Sequence, residues 1–433
     1  EIGGTPQSIF TMLNDADMNF PPIKGEDGSD IEVTKGRFVN LMENLNRDIR
    51  KAAFNSLYSS YINQKNTLAA IYNGSVKKDA FFATTRGYPS SLEASLFADN
   101  IPLEVYTNLI DTVHSNIHLM HRYVSLRKKL LNLDELHMYD LYTPIVPDID
   151  MKIPYEEAIK IVKEGLAPLG DDYIKILHKG LFGGWIDVYE NKGKRSGAYS
   201  WGAYGTHPYV LLNYQDNINN LFTLAHEMGH ALHSYYSDEA QPYIYAQYPI
   251  FLAEVASTVN ESLLMQHLLN NTTDKNKKAY LINHFMEQFR GTLFRQTMFA
   301  EFEKITHEMW ERGEALTVDS LCEVYKNLNI KYYGPDIIID SEISFEWARI
   351  PHFYNAFYVY KYATGYSAAI ALSDGILNNK AGSLDSYLTF LKSGGSDYPI
   401  NILERAGVDM KSPEPIKKAL KVFEGLLVEM EKM

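Results

Sequence analysis

Residues 223–233 read T-L-A-H-E-M-G-H-A-L-H, an H-E-x-x-H pattern inside a segment of helical composition. On an α-helix, residues four positions apart lie one turn apart on the same face. His226 and His230 can therefore offer two imidazole nitrogens to one ion, and Glu227 stands beside the first of them. Two nitrogen ligands, an open coordination position and an adjacent base favour a catalytic zinc site.

The alternative is an amphipathic core helix that carries two histidines without a metal. The chain contains 13 histidines among 433 residues. At that frequency chance produces on the order of 0.02–0.03 matches to the pattern. The composition therefore favours the metal site over the core helix.

Composition and charge narrow the class of protein. Hydrophobic residues make up 45% of the chain and charged residues 22%, as in a globular protein. The formal net charge of −13 argues against nucleic acid or an anionic membrane as the main partner. Cys322 is the one cysteine, so no intrachain disulfide forms, which indicates a reducing compartment, and we expect a cytoplasmic protein. We expect neither a transmembrane helix nor a signal peptide, because no apolar run approaches about 18 residues and residues 1–20 are mixed and polar.

The chain is predicted to be mainly α-helical, with two regions. Residues 1–147 form an N-terminal helical lobe, and a Pro-rich connector at 142–148 marks its end. Residues 148–433 form the catalytic region. In it, period-two alternation predicts a β-ribbon at about 184–214 directly before the H-E-x-x-H helix, with Asp216 or Asn217 as its N-cap. The main predicted helices are 46–73, 103–132, 155–165, 171–180, 250–270, 274–313, 317–329, 352–376, 383–393 and 413–432.

A third zinc ligand is required, and two residues compete for that role. His233 follows His226 by seven residues, but two helical turns separate them by roughly 10 Å, which exceeds the reach of one ion. His233 is better explained as a packing or supporting residue. Glu254 lies in an otherwise apolar helix, where an unpaired carboxylate is costly, so it is the preferred ligand. Glu261, two turns further on, either supports a ligand or is solvated.

Three further stretches accompany the H-E-x-x-H helix: F-L-A-E-V-A-S at 251–257, residues 197–200 with 208–213, and residues 350–365. Together with that helix, they resemble the oligoendopeptidase F family of zinc metallopeptidases, relatives of thimet oligopeptidase and neurolysin. It runs from about Thr34 to the end of the chain. Members of the family usually carry more N-terminal helical sequence, so part of that region is expected to be missing here.

The resemblance implies a two-lobed helical metallopeptidase of the zincin type, with a deep central channel that admits short peptides. It implies one Zn²⁺ per chain and oligopeptide substrates. It also implies that His352 and one or two tyrosines of 354–362 bind the oxyanion or the substrate backbone; we favour Tyr358 and Tyr360. The alternative is that these alternating tyrosines belong mostly to the core.

The expected function is hydrolysis of internal peptide bonds of oligopeptides by a zinc-activated water, with Glu227 as the general base. An edge strand within Gly197–Gly205 is expected to pair with the substrate backbone. The alternatives are an exopeptidase or dipeptidase on the same scaffold and a catalytically silent peptide-binding protein. The presence of Glu227 argues against the silent protein, because binding alone does not require a base.

Two other histidine groups are expected to be unrelated to the metal. His114, His118 and His121 share a helical face but lack a following glutamate, so we expect structural or surface roles. His307 begins an H-E-x-x-E sequence in a charge-rich helix, and we expect it on a solvated face.

Overall fold

The computed structural model describes residues 2–146 and 151–433. The predicted boundary between residues 147 and 148 lies outside the described residues. Helices dominate the described chain, and they confirm the mainly α-helical prediction. In chain order the α-helices are α1 Thr5–Thr11, α2 Lys35–Met42, α3 Arg47–Asn63, α4 Lys65–Thr85, α5 Ser91–Phe97, α6 Leu103–Ser115, α7 His118–Leu130, α8 Tyr155–Gly165, α9 Gly170–Phe182, α10 Ile218–Ala240, α11 Ile250–Asn271, α12 Lys275–Gln288, α13 Arg295–Glu311, α14 Val318–Tyr333, α15 Tyr360–Leu377, α16 Ser383–Leu391, α17 Pro399–Arg405 and α18 Glu414–Met430.

Shorter helical segments connect several of these elements. A π-helical segment, Phe289–Phe294, joins α12 to α13, and another, Met12–Asp17, follows α1. The longer 3₁₀ segments are Ser341–Arg349 and Pro351–Tyr354, which lie before α15.

The strands are short and form three small sheets. β1 (Ile23–Lys24) pairs with β2 (Asp30–Ile31) in antiparallel fashion. β3 (Leu136–His137) pairs in parallel with β7 (Ile337–Ile338). In the third sheet, β6 (Tyr209–Leu211) lies between β4 (Ile186–Asp187), which is parallel to it, and β5 (Tyr199–Trp201), which is antiparallel. This third sheet occupies the position of the predicted ribbon and leaves β5 at its edge.

The chain divides into two compact units, each built from three segments. The first unit comprises Glu1–Ala98, Val113–Pro147 and Phe294–Tyr360. The second unit comprises Asp99–Thr112, Asp148–Leu293 and Lys361–Met433. The segment Phe294–Tyr360 therefore belongs with N-terminal sequence, an interleaving that the two-region prediction does not contain.

The first unit is organised around a buried carboxylate. Glu346 is 4% exposed, and its Oε1 lies 2.6 Å from a guanidinium nitrogen of both Arg295 and Arg349. Its Oε2 accepts a hydrogen bond from the hydroxyl of Tyr325 at 2.5 Å. Because a buried charge must be paired, these bonds fix Ser341–Arg349 against α13 and α14.

The second unit is organised around the contact between α10 and α11. Most of one long side of α10 is buried, including Leu224, Met228 and Leu232, each without measurable exposure. Buried Asn260 of α11 donates from its amide to the carbonyl oxygen of Ala225 at 3.0 Å and accepts a hydrogen bond from Tyr173 of α9 at 2.9 Å. These bonds fix the register of α11 beside the H-E-x-x-H segment.

Three of the predicted helices are interrupted in the structure. The pattern at 46–73 is divided between α3 and α4 at Gln64, and α4 continues beyond it to Thr85. The pattern at 103–132 is two helices, α6 and α7, separated at residues 116 and 117. The predicted helix 352–376 is wrong at its start, because residues 355–359 are not helical and α15 begins at Tyr360. Within that break Phe357 has φ of +58°, a left-handed conformation that an α-helix does not contain.

Candidate metal centre and catalytic residues

The two histidines of the motif lie in the middle of α10. The helix begins after Asn217, whose side chain accepts a hydrogen bond from the backbone N–H of Asn220, so one of the two predicted N-caps is confirmed. His226 and His230 follow on the same face, and their Nε2 atoms lie 3.1 Å apart. Both rings are half-buried, so the pair is fixed by the helix yet reachable from solvent.

Glu254 of α11 completes a cluster with these histidines. Its Oε2 lies 3.4 Å from His226 Nε2 and 3.5 Å from His230 Nε2. The three ligand atoms all lie within 4.8 Å of one another, a separation that could hold a metal ion. The structure therefore brings together the three residues that the sequence predicts as ligands.

The geometry of this cluster fits zinc. Ligand bonds of about 2.0–2.1 Å in a tetrahedral arrangement place neighbouring donor atoms about 3.3 Å apart. The observed separations of 3.1, 3.4 and 3.5 Å scatter around that value. Two imidazole nitrogens and one carboxylate oxygen also match the donor set of a catalytic zinc with one open position.

The charges around His226 also suit a cation. Burial disfavours a protonated ring, but the carboxylates of Glu254 and Glu261 outweigh burial and raise the pKa of His226 to about 10. For Glu254, burial is likewise outweighed by the two histidines, which hold the pKa of its carboxyl well below the usual range. The carboxylates around His226 thus stabilise a positive charge at the cluster of His226, His230 and Glu254.

Glu261 supports His226 from the far side of the ring. Glu261 Oε1 is hydrogen-bonded to His226 Nδ1, and its Oε2 accepts a hydrogen bond from the side-chain amide of Gln288 at 2.9 Å. With Nδ1–H directed at Glu261, a cation that replaces the second ring proton would take the Nε2 lone pair, which faces His230 and Glu254. From the sequence, Glu261 could either support a ligand or be solvated. The structure shows the supporting contact.

Glu227 is buried next to the cluster. Its side chain is 7% exposed, and its Oε2 has no hydrogen-bond partner among the described residues. Burial raises the pKa of the Glu227 carboxyl above its usual value, although the neighbouring histidines oppose the shift. A carboxylate with an unsatisfied oxygen in a confined space is suited to exchange a proton.

His233 packs in the core. It has no measurable exposure, and its ring stacks on Tyr248 with centroids 3.7 Å apart. Burial, and secondarily the charge of His230, lowers the pKa of His233 to about 3. The structure thus gives it the packing role that the sequence favoured over a ligand role.

The predicted oxyanion-binding residues belong to the first unit, and the metal cluster belongs to the second. His352 lies in the 3₁₀ turn, and its ring is nearly parallel to that of Tyr358, with centroids 6.1 Å apart. Partial burial and the positive charge of Arg295 lower the pKa of His352, which favours its neutral imidazole. Tyr360 is 1% exposed at the start of α15.

Of the histidines expected to be unrelated to the metal, His114 and His121 make structural contacts. His114 Nε2 lies 2.7 Å from Glu301 Oε2, and His121 Nε2 lies 2.8 Å from the carbonyl oxygen of Lys331. His118 is exposed on α7. These positions agree with structural or surface roles.

The expectation for His307 is wrong. His307 is 2% exposed, and its Nδ1 lies 2.8 Å from the carbonyl oxygen of Glu303. Its charged neighbours Lys304 and Glu308 are half-buried and pair with each other at 2.6 Å, whereas His307 faces the interior of the first unit. A charge-rich helix can still carry a buried stripe.

Sequence reasoning did not identify Gln288 or Asn260 as supports of the centre. Gln288 follows Glu261 by 27 residues on a different helix, so no local spacing links them. Asn260 stands in an apolar stretch, where a buried amide signals a specific hydrogen bond, and this signal was available in the sequence.

Known proteins resemble this chain over nearly its whole length. The sequence profile of peptidase family M3 matches residues 40–422. Oligopeptidase PepF of Bacillus subtilis is 55% identical over 433 residues, which cover all of this chain and 65% of that protein. The group B oligopeptidase PepB of Streptococcus agalactiae is 46% identical, with coverage of 100% and 72%. The chain thus spans about two thirds of the length of the curated relatives that it matches.

Solved structures agree with the sequence comparisons. The oligoendopeptidase F of Enterococcus faecium is 40% identical and superposes with a TM-score of 0.84, covering 100% of this chain and 72% of that one. A crystal structure from Chlamydophila abortus reaches a TM-score of 0.94 at 42% identity, with the same coverage. The described part of the chain contains no helix long and apolar enough to cross a membrane.

These similarities confirm the predicted resemblance to oligoendopeptidase F and the predicted enzyme class. The profile match covers most of the chain, and the identities far exceed the level at which only a fold is shared. The chain belongs to peptidase family M3, a family of metallopeptidases, and within it to the relatives of oligoendopeptidase F.

Proposed function

We propose that this chain is a zinc-dependent endopeptidase that hydrolyses internal peptide bonds of short oligopeptides. The observation that carries the proposal is the convergence of His226, His230 and Glu254 within 4.8 Å, with buried Glu227 next to them in sequence. Family membership and relatives named oligopeptidase and oligoendopeptidase support the same function.

His226, His230 and Glu254 would hold one zinc ion per chain. The separations of their donor atoms and the two-nitrogen, one-carboxylate set support zinc over calcium or magnesium, which prefer oxygen ligands. When bound, zinc polarises a carbonyl oxygen and makes water acidic enough to act as a nucleophile at neutral pH.

Glu227 acts as the general base in this proposal. Its unsatisfied Oε2 accepts a proton from the attacking water and later delivers it to the leaving amine. Burial raises the pKa of its carboxyl, which favours this return of the proton at neutral pH.

His352, Tyr358 and Tyr360 are proposed, from the family resemblance, as donors to the oxyanion or the substrate backbone. The side-by-side rings of His352 and Tyr358 support a joint role. The lowered pKa of His352 supports donation from a neutral imidazole N–H rather than from an imidazolium. Tyr360 is buried, so its support comes from the resemblance alone.

β5 is proposed to hold the substrate as an added strand. It is an edge strand within the predicted segment Gly197–Gly205, and its outward residues Tyr199 and Trp201 are 47% and 75% exposed. Backbone hydrogen bonds along such an edge fix a peptide while tolerating many side chains. The exposed aromatic rings add apolar contact for substrate side chains.

Restriction to short peptides through a deep channel, and a cytoplasmic location, are further parts of the proposal. The channel is supported by the family resemblance. The location is supported by the use of a single cysteine, which suits a reducing compartment.

Cleavage of internally quenched peptides of graded length tests the function. We expect zinc-dependent cleavage at internal bonds and a loss of activity in Glu227→Gln with zinc still bound. Release of terminal residues alone would instead support an exopeptidase on this scaffold. Peptide binding without cleavage by the zinc-loaded protein would support a silent binding protein.

A further inference from the structure

Phe357 has an unusual backbone conformation directly before Tyr358. Its φ of +58° lies in the left-handed region, which a bulky side chain rarely occupies. Phe357 is 2% exposed and lies in the break between the turn that carries His352 and the helix that begins at Tyr360. A strained residue persists only where its surroundings hold it, so the contacts of Phe357 are informative.

Glu303 of α13 holds the backbone of Phe357. Its carboxylate Oε1 accepts a hydrogen bond from the Phe357 N–H at 2.9 Å, in a buried setting. Glu303 has no measurable exposure, and its Oε2 has no hydrogen-bond partner among the described residues. A buried acid placed against one backbone N–H is costly and has no evident packing advantage over leucine or methionine.

Burial favours the neutral form of this acid. Desolvation, with a further contribution from Asp79, raises the pKa of Glu303 well above its usual value, although the Phe357 N–H opposes the shift. A neutral carboxylic acid has the shape and acceptor geometry of a glutamine amide. Glutamine at this position should therefore retain the bond to Phe357, whereas leucine should lose it.

His307, one turn after Glu303 on α13, holds the side chain of Phe357. The two rings pack with centroids 4.6 Å apart. His307 is itself fixed by its Nδ1 at the Glu303 carbonyl oxygen, 2.8 Å away, and by its Nε2, which lies 3.4 Å from Asp79 Oδ2. Glu303 and His307 thus restrain the backbone and the ring of the same residue.

The other side of the turn is fixed by aromatic packing. Phe353, next to His352, contacts Phe302 of α13 at 5.1 Å between centroids and Phe299 at 5.5 Å. The His352 end is therefore held by apolar contacts to α13. The Tyr358 end is held by the hydrogen bond that the Phe357 N–H donates to Glu303 and by the ring of His307.

We propose that Glu303 is a positioning residue that holds the left-handed turn at Phe357 and thereby keeps Tyr358 beside His352. The inference rests on the proposed function for its catalytic consequence, because it assumes that His352 and Tyr358 donate to the oxyanion. Its structural part, the restraint of the turn, stands on the contacts alone.

The test compares Glu303→Gln with Glu303→Leu in the zinc-loaded chain. We expect Glu303→Gln to keep kcat within about 2-fold of the parent. We expect Glu303→Leu to lower kcat by about 10- to 100-fold with KM changed less than 3-fold, as for a misplaced transition-state donor. Zinc content should be unchanged in both variants.

A control variant separates positioning from general destabilisation. Val124 is fully buried on α7, which packs on α14 and β7, so Val124→Ala weakens the first unit elsewhere. We expect it to lower the Tm without lowering kcat. Hydrogen–deuterium exchange should be faster in Glu303→Leu at peptides covering 352–358, and unchanged there in Val124→Ala.

The outcomes separate this inference from the proposed function. Unchanged exchange at 352–358 in Glu303→Leu would overturn the restraint, whatever the activity. The link to catalysis would be overturned if Glu303→Leu exchanged faster at 352–358 but kept the parental kcat. This outcome requires that Glu227→Gln abolishes cleavage in the same assay. An inactive parent chain would contradict the proposed function and leave the exchange result to decide the restraint.

Discussion

Gly229 of α10 lies against Ser257 of α11 so closely that a Cβ on Gly229 would stand 2.5 Å from the Ser257 Cα. The same Cβ would stand 3.0 Å from the carbonyl oxygen of Ala256, so both close neighbours are backbone atoms that cannot rotate away. Gly229 lies between His226 and His230, and Ser257 lies one turn after Glu254. The absence of a side chain at Gly229 is therefore what lets the two helices bring all three metal-binding candidates together.

Gly229→Ala should destabilise the protein and weaken zinc binding. Helix propensity alone favours Ala over Gly by about 1 kcal/mol, but overpacking against backbone costs about 1–3 kcal/mol or more. Denaturant unfolding and a zinc titration would measure the two effects. Gly425 on α18 is the matched control, because a Cβ there would lie in open space. Gly425→Ala should therefore stabilise the protein slightly. An equal gain in the free energy of unfolding in both variants would contradict the close approach of α10 and α11 at Gly229.

Gln288→Leu should reduce zinc affinity by about 10- to 100-fold, because Glu261 would lose the partner that orients it toward His226. Competition with a chromogenic chelator measures this affinity without reference to activity. Gln266→Leu, at a half-buried position on α11, is the control and should bind zinc normally. If the two variants bind zinc equally well, Gln288 has no supporting role.

His233 should make the protein sensitive to acid. Its pKa is about 3 in the folded chain and about 6.5 when unfolded, so between these values the unfolded chain binds the extra proton. Its contribution to stability is complete above pH 6.5 and decreases as pH falls toward 3. At pH 5 the loss is about 2 kcal/mol.

His233→Phe should remove this part of the pH dependence of the free energy of unfolding. Phe preserves an aromatic ring against Tyr248 and cannot titrate. Urea unfolding at pH 7 and pH 5 measures the slope, with His178→Phe at an exposed site as the control. An unchanged slope in His233→Phe would show that His233 is not buried in its neutral form.

N-methylation of a substrate peptide should raise KM at one or more backbone positions, because a strand added to the edge of β5 donates backbone N–H groups. Loss of one such hydrogen bond predicts about a 2- to 10-fold increase. A scan of singly methylated quenched peptides, with kcat followed separately, makes the measurement. If KM is the same for the parent peptide and every singly methylated peptide, strand addition is excluded as the binding mode.

The metal centre was predictable because its signals are local. The four-residue spacing of His226 and His230 follows from the helical period, and Glu254 stood out as an acid in an apolar helix. The partner of Glu261 was not predictable, since its contact with Gln288 depends on how α12 packs beside α11.

The segment before α15 shows where sequence patterns fail. Residues 352–362 carry tyrosines at helical spacing and no Gly or Pro, so they predict a continuous helix. The turn at Phe357 is imposed by a tertiary contact with Glu303, and no residue within the segment encodes it. The prediction for His307 was wrong for a different reason, because its charged neighbours in the sequence of α13 obscured the buried stripe.

The most direct test of the central claim is the activity of Glu227→Gln at full zinc occupancy. Zinc content by atomic emission and kcat/KM on one quenched oligopeptide are measured for the same preparations of parent and variant. The account predicts equal zinc, about one ion per chain, and a fall in kcat/KM of about 10²- to 10⁴-fold. Cleavage by the zinc-loaded variant at the parental rate would contradict it.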